Sequence, residues 1–245
     1  MPAPKKVLLC YDAHLSHSKK PNGAYLLFKR FCVDFKPDEL VIGGDFLDCE
    51  PLSHWVMDKH RRVEGQRIIL DYDLANKELD FFEKYCKKIV YLEGNHENWI
   101  EDFIDRNPAL EGTLEIRKNL RLKERGIEWV SINKLYRVGK LYCTHGFYTS
   151  KYHSIKHLLA YGCNIVYGHV HQPQVSMINM KMVEPYKAVS LGCLCGHEPE
   201  YMENRPANWM NGFGIVYLHP NGEFNLYSVD IVNGKFISPM GKIYD

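Results

Sequence analysis

Five short apolar runs in this chain each end at side chains that can bind a metal ion. The runs have the length and composition of buried strands. In open α/β sheets ligands gather beyond the carboxyl ends of strands, so a single sheet would bring these side chains to one rim, where we predict a metal site. The runs and the groups that follow them are 7–11 with Asp12 and His14, 40–42 with Asp45 and Asp48, 89–92 with Asn95, His96 and Glu97, 141–143 with His145, and 165–167 with His169 and His171.

The composition restricts the class of protein. The chain has 245 residues, which suits one large domain or two small ones, with an ample core. Its 31 basic and 30 acidic residues give a net charge of +1, which argues against a strongly electrostatic nucleic-acid or membrane binder but not against a local basic groove. No apolar stretch approaches the ~20 residues that span a bilayer. The run 7–11 is also too short for a signal peptide, whose apolar region needs about 7–15 residues.

The cysteines favour a reducing compartment. The chain has 8 cysteines and no Cys-x-x-Cys pair, and two of them lie inside strand-like runs. Reduced structural thiols in a cytoplasmic protein are the favoured interpretation. Cys193 and Cys195 are too close in sequence for a conventional zinc pair.

The organisation along the chain indicates a single domain over residues 1–245. Strand and helix patterns alternate to about residue 170, with helices expected at 23–35, 99–103 and 154–159. Residues 53–80 form the longest stretch without a strand and are predicted to be a helical segment on the substrate side. The runs 188–191, 215–218 and 224–229 predict antiparallel strands in a second sheet or an extension of the first, with a hairpin turn at 220–222.

The spacing of the polar residues supports metal binding by itself. Asp12 and His14 are two residues apart, as are His169 and His171, so each pair can chelate one ion at a strand end. Imidazole suits zinc, iron or manganese, while carboxylate and amide oxygens suit manganese or magnesium. The mixed donor set is too rich for one tetrahedral zinc. Two ions about 3.5–4 Å apart would use it fully and would suit displacement at phosphorus.

The five blocks, in this order, resemble those of the calcineurin-like metallophosphoesterases. They are Asp-x-His, Gly-Asp-x-x-Asp, Gly-Asn-His-Glu, a lone His-Gly and Gly-His-x-His, and they span roughly residues 5–172. The resemblance implies an α/β fold, a four-layer α/β/β/α sandwich with mixed sheets, and a dinuclear site at the strand ends. It implies two divalent ions, with manganese favoured and iron, zinc, nickel or magnesium as alternatives.

The resemblance also assigns roles to individual residues. His96 would assist the leaving group and Asp48 would orient it, while a metal-bridging hydroxide would attack the phosphorus. Asp48 could instead cap the start of the next element. The implied metal ligands are Asp12, His14 and His171 for the first ion, Asn95, His145 and His169 for the second, and Asp45 as the bridge.

The residues that follow the Gly-Asp-x-x-Asp block differ from those of some relatives. Protein phosphatases of this family carry an arginine directly after Gly-Asp-x-x-Asp, whereas Cys49 stands here, which makes a phosphoprotein substrate doubtful. The repair exonucleases of the family also lack that arginine. Arg61 and Arg62 lie in a basic stretch that could bind a nucleotide or nucleic acid, although a solvated amphipathic helix is the slightly favoured interpretation. His197 is a further candidate for lining the site.

Three functions follow from these patterns. The leading one is metal-dependent hydrolysis of phosphodiesters of nucleotides or nucleic acid. The first alternative is a phosphomonoesterase that acts on a small metabolite. The second alternative is a non-catalytic metal-binding scaffold, since a retromer subunit has this fold; a degenerate scaffold would be expected to lose His96 or some ligands, and this chain keeps them all. The patterns leave the oligomeric state open.

Overall fold

A computed structural model of the chain describes residues 3–53, 56, 59–132, 134–196 and 208–245. The α-helices in these ranges are α1 (Gly23–Phe35), α2 (Ile68–Glu83), α3 (Asn95–Arg106), α4 (Ile116–Asn119) and α5 (His153–Tyr161). The strands are β1 (Lys5–Cys10), β2 (Glu39–Ile42), β3 (Ile89–Leu92), β4 (Glu128–Val130), β5 (Tyr136–Val138), β6 (Leu141–Cys143), β7 (Ile165–Tyr167), β8 (Gln174–Met180), β9 (Val183–Ser190), β10 (Asn211–Leu218), β11 (Phe224–Ile231), β12 (Phe236–Ile237) and β13 (Ile243–Tyr244).

The strands that carry the polar blocks are divided between two sheets. The first sheet has the order β11-β10-β1-β2-β3-β4, in which β1 to β4 are parallel. The second has the order β5-β6-β7-β9-β8, in which β6, β7 and β9 are parallel. The expectation that one sheet carries all five runs is therefore wrong. Apolar periodicity shows that a strand is buried but not which strand it pairs with.

Alternate residues of β1 show how the layers stack. Leu8 and Cys10 belong to the core that includes the buried faces of α1 and α2. Val7 and Leu9 belong to a second core built from both sheets. On the far side of the second sheet, Leu158 of α5 packs in a third cluster with residues of β7 and β9. The predicted α/β/β/α sandwich is confirmed.

The predicted elements are found with modest shifts. Helices α1, α3 and α5 cover the predicted helical positions, and β9, β10 and β11 cover the predicted tail strands. The hairpin at 220–222 closes through a 2.7 Å bond from His219 N to Glu223 O. β10 and β11 extend the first sheet, whereas β9 joins the second. None of the described helices is both long and apolar enough to cross a bilayer.

The 53–80 segment is only partly helical in its described residues. A short 3-10 helix covers His60–Val63, and α2 begins at Ile68. Residues 54–55 and 57–58 lie outside the described part of the chain. The segment follows the Asp45–Asp48 block in the chain, and Arg62 Nε within it lies 3.4 Å from Glu50 Oε1.

Candidate metal centre

The predicted metal-binding residues meet where the two sheets face each other, beyond the carboxyl ends of β1, β2, β3, β6 and β7. On one side, His14 Nε2 lies 3.2 Å from His171 Nε2, and His171 Nε2 lies 3.4 Å from Asp12 Oδ1. These are the residues predicted for the first ion. Asp12 and His171 are buried, and His14 is partly buried.

The residues predicted for the second ion form the other side. His145 Nε2 lies 3.0 Å from Asn95 Oδ1, and the rings of His145 and His169 are 5.0 Å apart. Asp45 stands between the two sides, because its Oδ2 lies 3.7 Å from His14 Nε2 and 3.4 Å from His145 Nε2. One carboxylate oxygen thus faces both sets of donors, as a bridging ligand must.

The donor chemistry fits divalent ions. His169 Nδ1 is buried and has no hydrogen-bond partner within the described ranges, an arrangement that buried polar atoms rarely tolerate unless something else satisfies them. Burial and the neighbouring His145 lower the pKa of His169 to about 4, so its ring is neutral at pH 7, the state in which imidazole binds metals. Three groups of residues each offer potential ligand atoms that lie within 4.8 Å of one another inside the group. They are Asp45-His145-His169, His14-Asp45-His96 and His14-His171-Cys195.

Cys195 adds a thiol beside the first side of the site. Its Sγ lies 3.8 Å from His171 Nδ1, the ring nitrogen opposite the one that faces Asp12 and His14. The Cys193–Cys195 spacing excluded a conventional zinc pair but gave no sign of this contact. A group in this position can hold the ring of a metal-binding histidine in one orientation.

The backbone is strained where these side chains leave it. Positive φ values occur at non-glycine residues from 45° at His14 to 67° at His169, a conformation that L-residues seldom adopt. Such residues cost on the order of 1–3 kcal/mol each and cluster at functional sites. The predicted ligands in this conformation are Asp12, His14, Asp45, His169 and His171.

Two glycines allow the key carboxylates to approach the backbone. A Cβ at Gly94 would lie 2.2 Å from Asp45 Oδ1, and a Cβ at Gly168 would lie 2.3 Å from Asp12 Oδ2. Both separations are far inside van der Waals contact. Gly94 therefore makes room for a carboxylate that follows the neighbouring strand β2, and Gly168 makes room for one that follows β1 of the other sheet.

Glu97 organises the loop that carries Asp45, a role that the sequence patterns did not reveal. The side chain is fully buried. The only signal was its position three residues after Gly94, the spacing of a helix capping box. Its carboxylate accepts hydrogen bonds from Asp45 N (2.8 Å), Phe46 N (2.8 Å), Leu47 N (3.1 Å), Gly94 N (3.0 Å) and Tyr91 Oη (2.8 Å).

Replacing Glu97 by glutamine is expected to destabilise the protein and weaken metal binding. One carboxylate oxygen would become an amide N–H₂ group that faces backbone N–H groups, so buried donors would be left unpaired. Each unpaired buried donor costs about 1–3 kcal/mol of stability. Chemical denaturation should show the free energy of unfolding falling by about 3 kcal/mol. The matched control is Glu101→Gln, one turn later on α3 and only partly buried. Equal stability and metal content in the two variants would contradict this role.

His96 is held beside the site with one ring nitrogen directed away from it. Its Nδ1 donates to the Asp48 carbonyl oxygen at 2.5 Å and lies 3.5 Å from Asp48 Oδ1. Its Nε2 lies 3.8 Å from Asp45 Oδ2, and its ring packs on Trp99 with centroids 3.9 Å apart. Burial opposes the charged imidazolium, but the carboxylates of Asp45 and Asp48 outweigh burial and raise the pKa of His96 to about 9.

The loop after His145 is fixed by a buried histidine. His157 Nε2 accepts a hydrogen bond of 3.1 Å from the backbone N–H of Phe147, and its Nδ1 donates to the carbonyl oxygen of His153 at 2.8 Å. Burial lowers the pKa of His157, which favours the neutral ring that this acceptor role requires. His153 and His157 are both fully buried.

The three candidate substrate residues differ in exposure and in how much of them the structure describes. Arg61 is exposed, whereas Arg62 is mostly buried, with Nε 3.4 Å from Glu50 Oε1. His197 lies outside the described residues. Cys49, which stands where protein phosphatases carry arginine, is fully buried.

This chain is similar to a known protein family and to several solved structures. The calcineurin-like phosphoesterase family model matches residues 6–201. Among solved structures, Vps29 of Chaetomium thermophilum is 9% identical with a TM-score of 0.49, covering 98% of this chain and 94% of its own. Yfce, a phosphoesterase from E. coli, is 15% identical with a TM-score of 0.42, covering 97% and 96%. The protein TT1561 of Thermus thermophilus is 9% identical with a TM-score of 0.35, covering 91% and 98%. No curated protein sequence matched.

Proposed function

Because this chain belongs to the calcineurin-like phosphoesterase family, we propose that it hydrolyses phosphodiesters of nucleotides or nucleic acid with two divalent metal ions, manganese being favoured. The family is one of metal-dependent phosphoesterases. The observation that carries the proposal is the position of Asp45 Oδ2, within 3.7 Å of His14 and 3.4 Å of His145. A bridging carboxylate between two sets of imidazole and oxygen donors is the arrangement that a two-ion site needs.

The metal-binding residues divide into the two sets described above. When bound, two divalent ions supply Lewis acidity that stabilises charge on a phosphoryl group and lowers the pKa of water. The chain contributes a rigid frame, because Glu97 holds the Asp45 loop. The proposed ligands are Asp12, His14 and His171 for one ion, Asn95, His145 and His169 for the other, and Asp45 for both.

His96 is the proposed general acid for the leaving group. Its Nδ1 is occupied by the Asp48 carbonyl oxygen, so Nε2 is the nitrogen that can give a proton to a departing oxygen. Asp48 keeps the ring in this orientation and favours its protonated form. A charged imidazole that is fixed through one nitrogen is suited to proton donation at neutral pH.

A nucleotide or nucleic-acid substrate is proposed from two cations in the 53–80 segment. Arg61 and Arg62 follow the Asp45–Asp48 block in the chain, and Arg62 reaches Glu50 beside that block. Phosphate groups are contacted mainly by such arginine and lysine side chains. His197 remains a proposed contact from its sequence position.

An activity screen with added manganese tests the proposed function. Bis-p-nitrophenyl phosphate, p-nitrophenyl phosphate, cyclic nucleotides and labelled DNA and RNA should be compared side by side. Turnover of diesters above monoesters is the expected result, and a nucleic-acid substrate should show binding that falls steeply with salt. Preferential turnover of monoesters would favour the phosphomonoesterase, and two bound ions without any turnover would favour the scaffold.

A further inference from the structure

The hydrogen bond of His96 does not by itself fix the orientation of its ring. Nδ1 donates to the Asp48 carbonyl oxygen at 2.5 Å. Two side-chain torsions place an imidazole, and the second of them, χ2, has a broad energy profile in histidine. A single hydrogen bond therefore leaves the plane of the ring loosely set. The direction of Nε2, the nitrogen that serves the leaving group, depends on a second constraint.

Trp99 supplies this constraint. Its ring lies against the ring of His96, with the centroids 3.9 Å apart and an angle of 32° between the planes. Trp99 follows His96 by three residues on α3, so the two side chains lie on the same face of the helix. Long side chains on a helix lean toward its N-terminus, which brings the indole over the turn that carries His96. At this separation the imidazole cannot turn about χ2 without displacing the indole.

The indole is itself anchored. Trp99 is partly buried and packs on the core that includes the buried faces of α1 and α2. The next residue, Ile100, is fully buried in the same core and ties α3 to it. Because core side chains are close-packed in defined rotamers, the indole is a rigid surface against which a second ring can be held.

His14 limits the imidazole from another direction. The rings of His14 and His96 meet edge to face, with centroids 4.4 Å apart and an angle of 77° between the planes. In the resulting orientation, His96 Nε2 lies 3.8 Å from Oδ2 of Asp45, the proposed bridging ligand. The contacts with Asp48, Trp99 and His14 thus direct Nε2 toward the metal centre.

We propose that Trp99 is a positioning residue for His96, which fixes the plane of the imidazole so that Nε2 faces the leaving oxygen of the substrate. The proposal rests on the proposed function for the role of His96 as general acid. Trp99 acts through His96 and not on the substrate itself. Proton transfer needs hydrogen-bond geometry between donor and acceptor, and a misplacement of about 1 Å can lower a rate by about 10²-fold.

A comparison of leaving groups tests this role in the manganese-loaded protein. The substrates are the p-nitrophenyl and phenyl esters of thymidine 5′-monophosphate, because phenolate needs protonation more than p-nitrophenolate does. We expect Trp99→Leu to lower kcat by about 10–10²-fold for the phenyl ester and by less than about threefold for the p-nitrophenyl ester. Trp99→Phe keeps an aromatic face and should restore most of the rate with the phenyl ester.

Trp129→Leu is the matched control. Trp129 is also partly buried and packs on the same core, but its ring stacks on Tyr91 with centroids 5.3 Å apart. This variant should show a lower Tm, while the ratio of the two rates stays at the wild-type value. If Trp99 had only a structural role, Trp99→Leu would lower both rates alike, and that result would overturn the proposal. A Trp99→Phe variant no better than Trp99→Leu would also overturn it.

NMR spectroscopy measures the contact without turnover. In the protein loaded with diamagnetic Zn²⁺, the ring current of the indole should shift the Cε1–H signal of His96. The shift should be lost in Trp99→Leu and kept in Trp129→Leu. Equal His96 signals in the wild type and Trp99→Leu would overturn the proposal. Failure of the proposed function is seen separately, as absence of hydrolysis of both esters by a wild-type protein that still shows the ring-current shift.

Discussion

Replacing Asp45 by asparagine is expected to abolish turnover and to lower the metal content from about two equivalents per chain. Asp45 Oδ2 faces His14 on one side and His145 on the other, so the substitution removes a negative charge that both ions would share. Elemental analysis and the rate of bis-p-nitrophenyl phosphate hydrolysis measure the two effects. Asp73→Asn is the control, because that residue is exposed on α2.

The outcome separates a bridging role from a peripheral one. If Asp45→Asn keeps full metal content and full turnover, Asp45 does not bridge. If the rate falls only in proportion to the metal content, the molecules of Asp45→Asn that still hold two ions are active, and the bridge is dispensable for the chemistry. We expect neither result, because molecules of Asp45→Asn that still hold two ions should also be inactive.

Replacing His96 by alanine is expected to lower kcat by about 10²–10⁴-fold, the range typical of general acid catalysis. The metal content should stay unchanged. His96 is oriented by Asp48 through Nδ1 and is assigned to the leaving group. The loss should be smaller for p-nitrophenolate esters, because that leaving group needs little protonation. The control is His219→Ala, an exposed histidine on the β10–β11 turn.

Metal content decides whether His96 is correctly assigned. His96 Nε2 lies 3.8 Å from Asp45 Oδ2, and His96 belongs to one of the sets of closely spaced potential ligands. If His96→Ala loses an ion, the ring is a ligand and the separation of roles between Asn95 and His96 is wrong. An unchanged metal content with an unchanged kcat would show that another group serves the leaving oxygen.

Much of the candidate site could be predicted because its residues follow strands. A buried apolar run that stops at a polar side chain marks a strand end, and strand ends are where ligands gather. Asp12, Asp45 and His145 were found in this way, and the structure brings them together. The division of the strands between two sheets could not be predicted, since pairing depends on contacts between residues far apart in sequence.

The residues that support the site were harder to find. Glu97 acts through backbone N–H groups on a different strand end, and backbone partners leave no trace in side-chain patterns. Lys19 lies in a loop with no periodicity, and its ion pairs with Asp48 and Glu50 exist only after folding. Sequence patterns reveal where polar residues stand along the chain, whereas these roles depend on which loops are brought side by side.

The structure also explains how a strained site is maintained. Several proposed ligands hold left-handed backbone conformations, which cost on the order of 1–3 kcal/mol each. The compensation comes from local hydrogen bonds such as those of Glu97 and from the buried core between the sheets. We therefore expect stability and function to be coupled at Glu97 more strongly than at exposed positions of α3.

The most direct measurement is anomalous diffraction at the manganese edge from crystals grown with Mn²⁺. The account predicts two anomalous peaks about 3.5–4 Å apart. One should be bound by Asp12, His14 and His171 and the other by Asn95, His145 and His169, with Asp45 reaching both. A single peak, or two peaks of which one lies away from Asp45, would contradict the two-ion centre on which the proposed function depends.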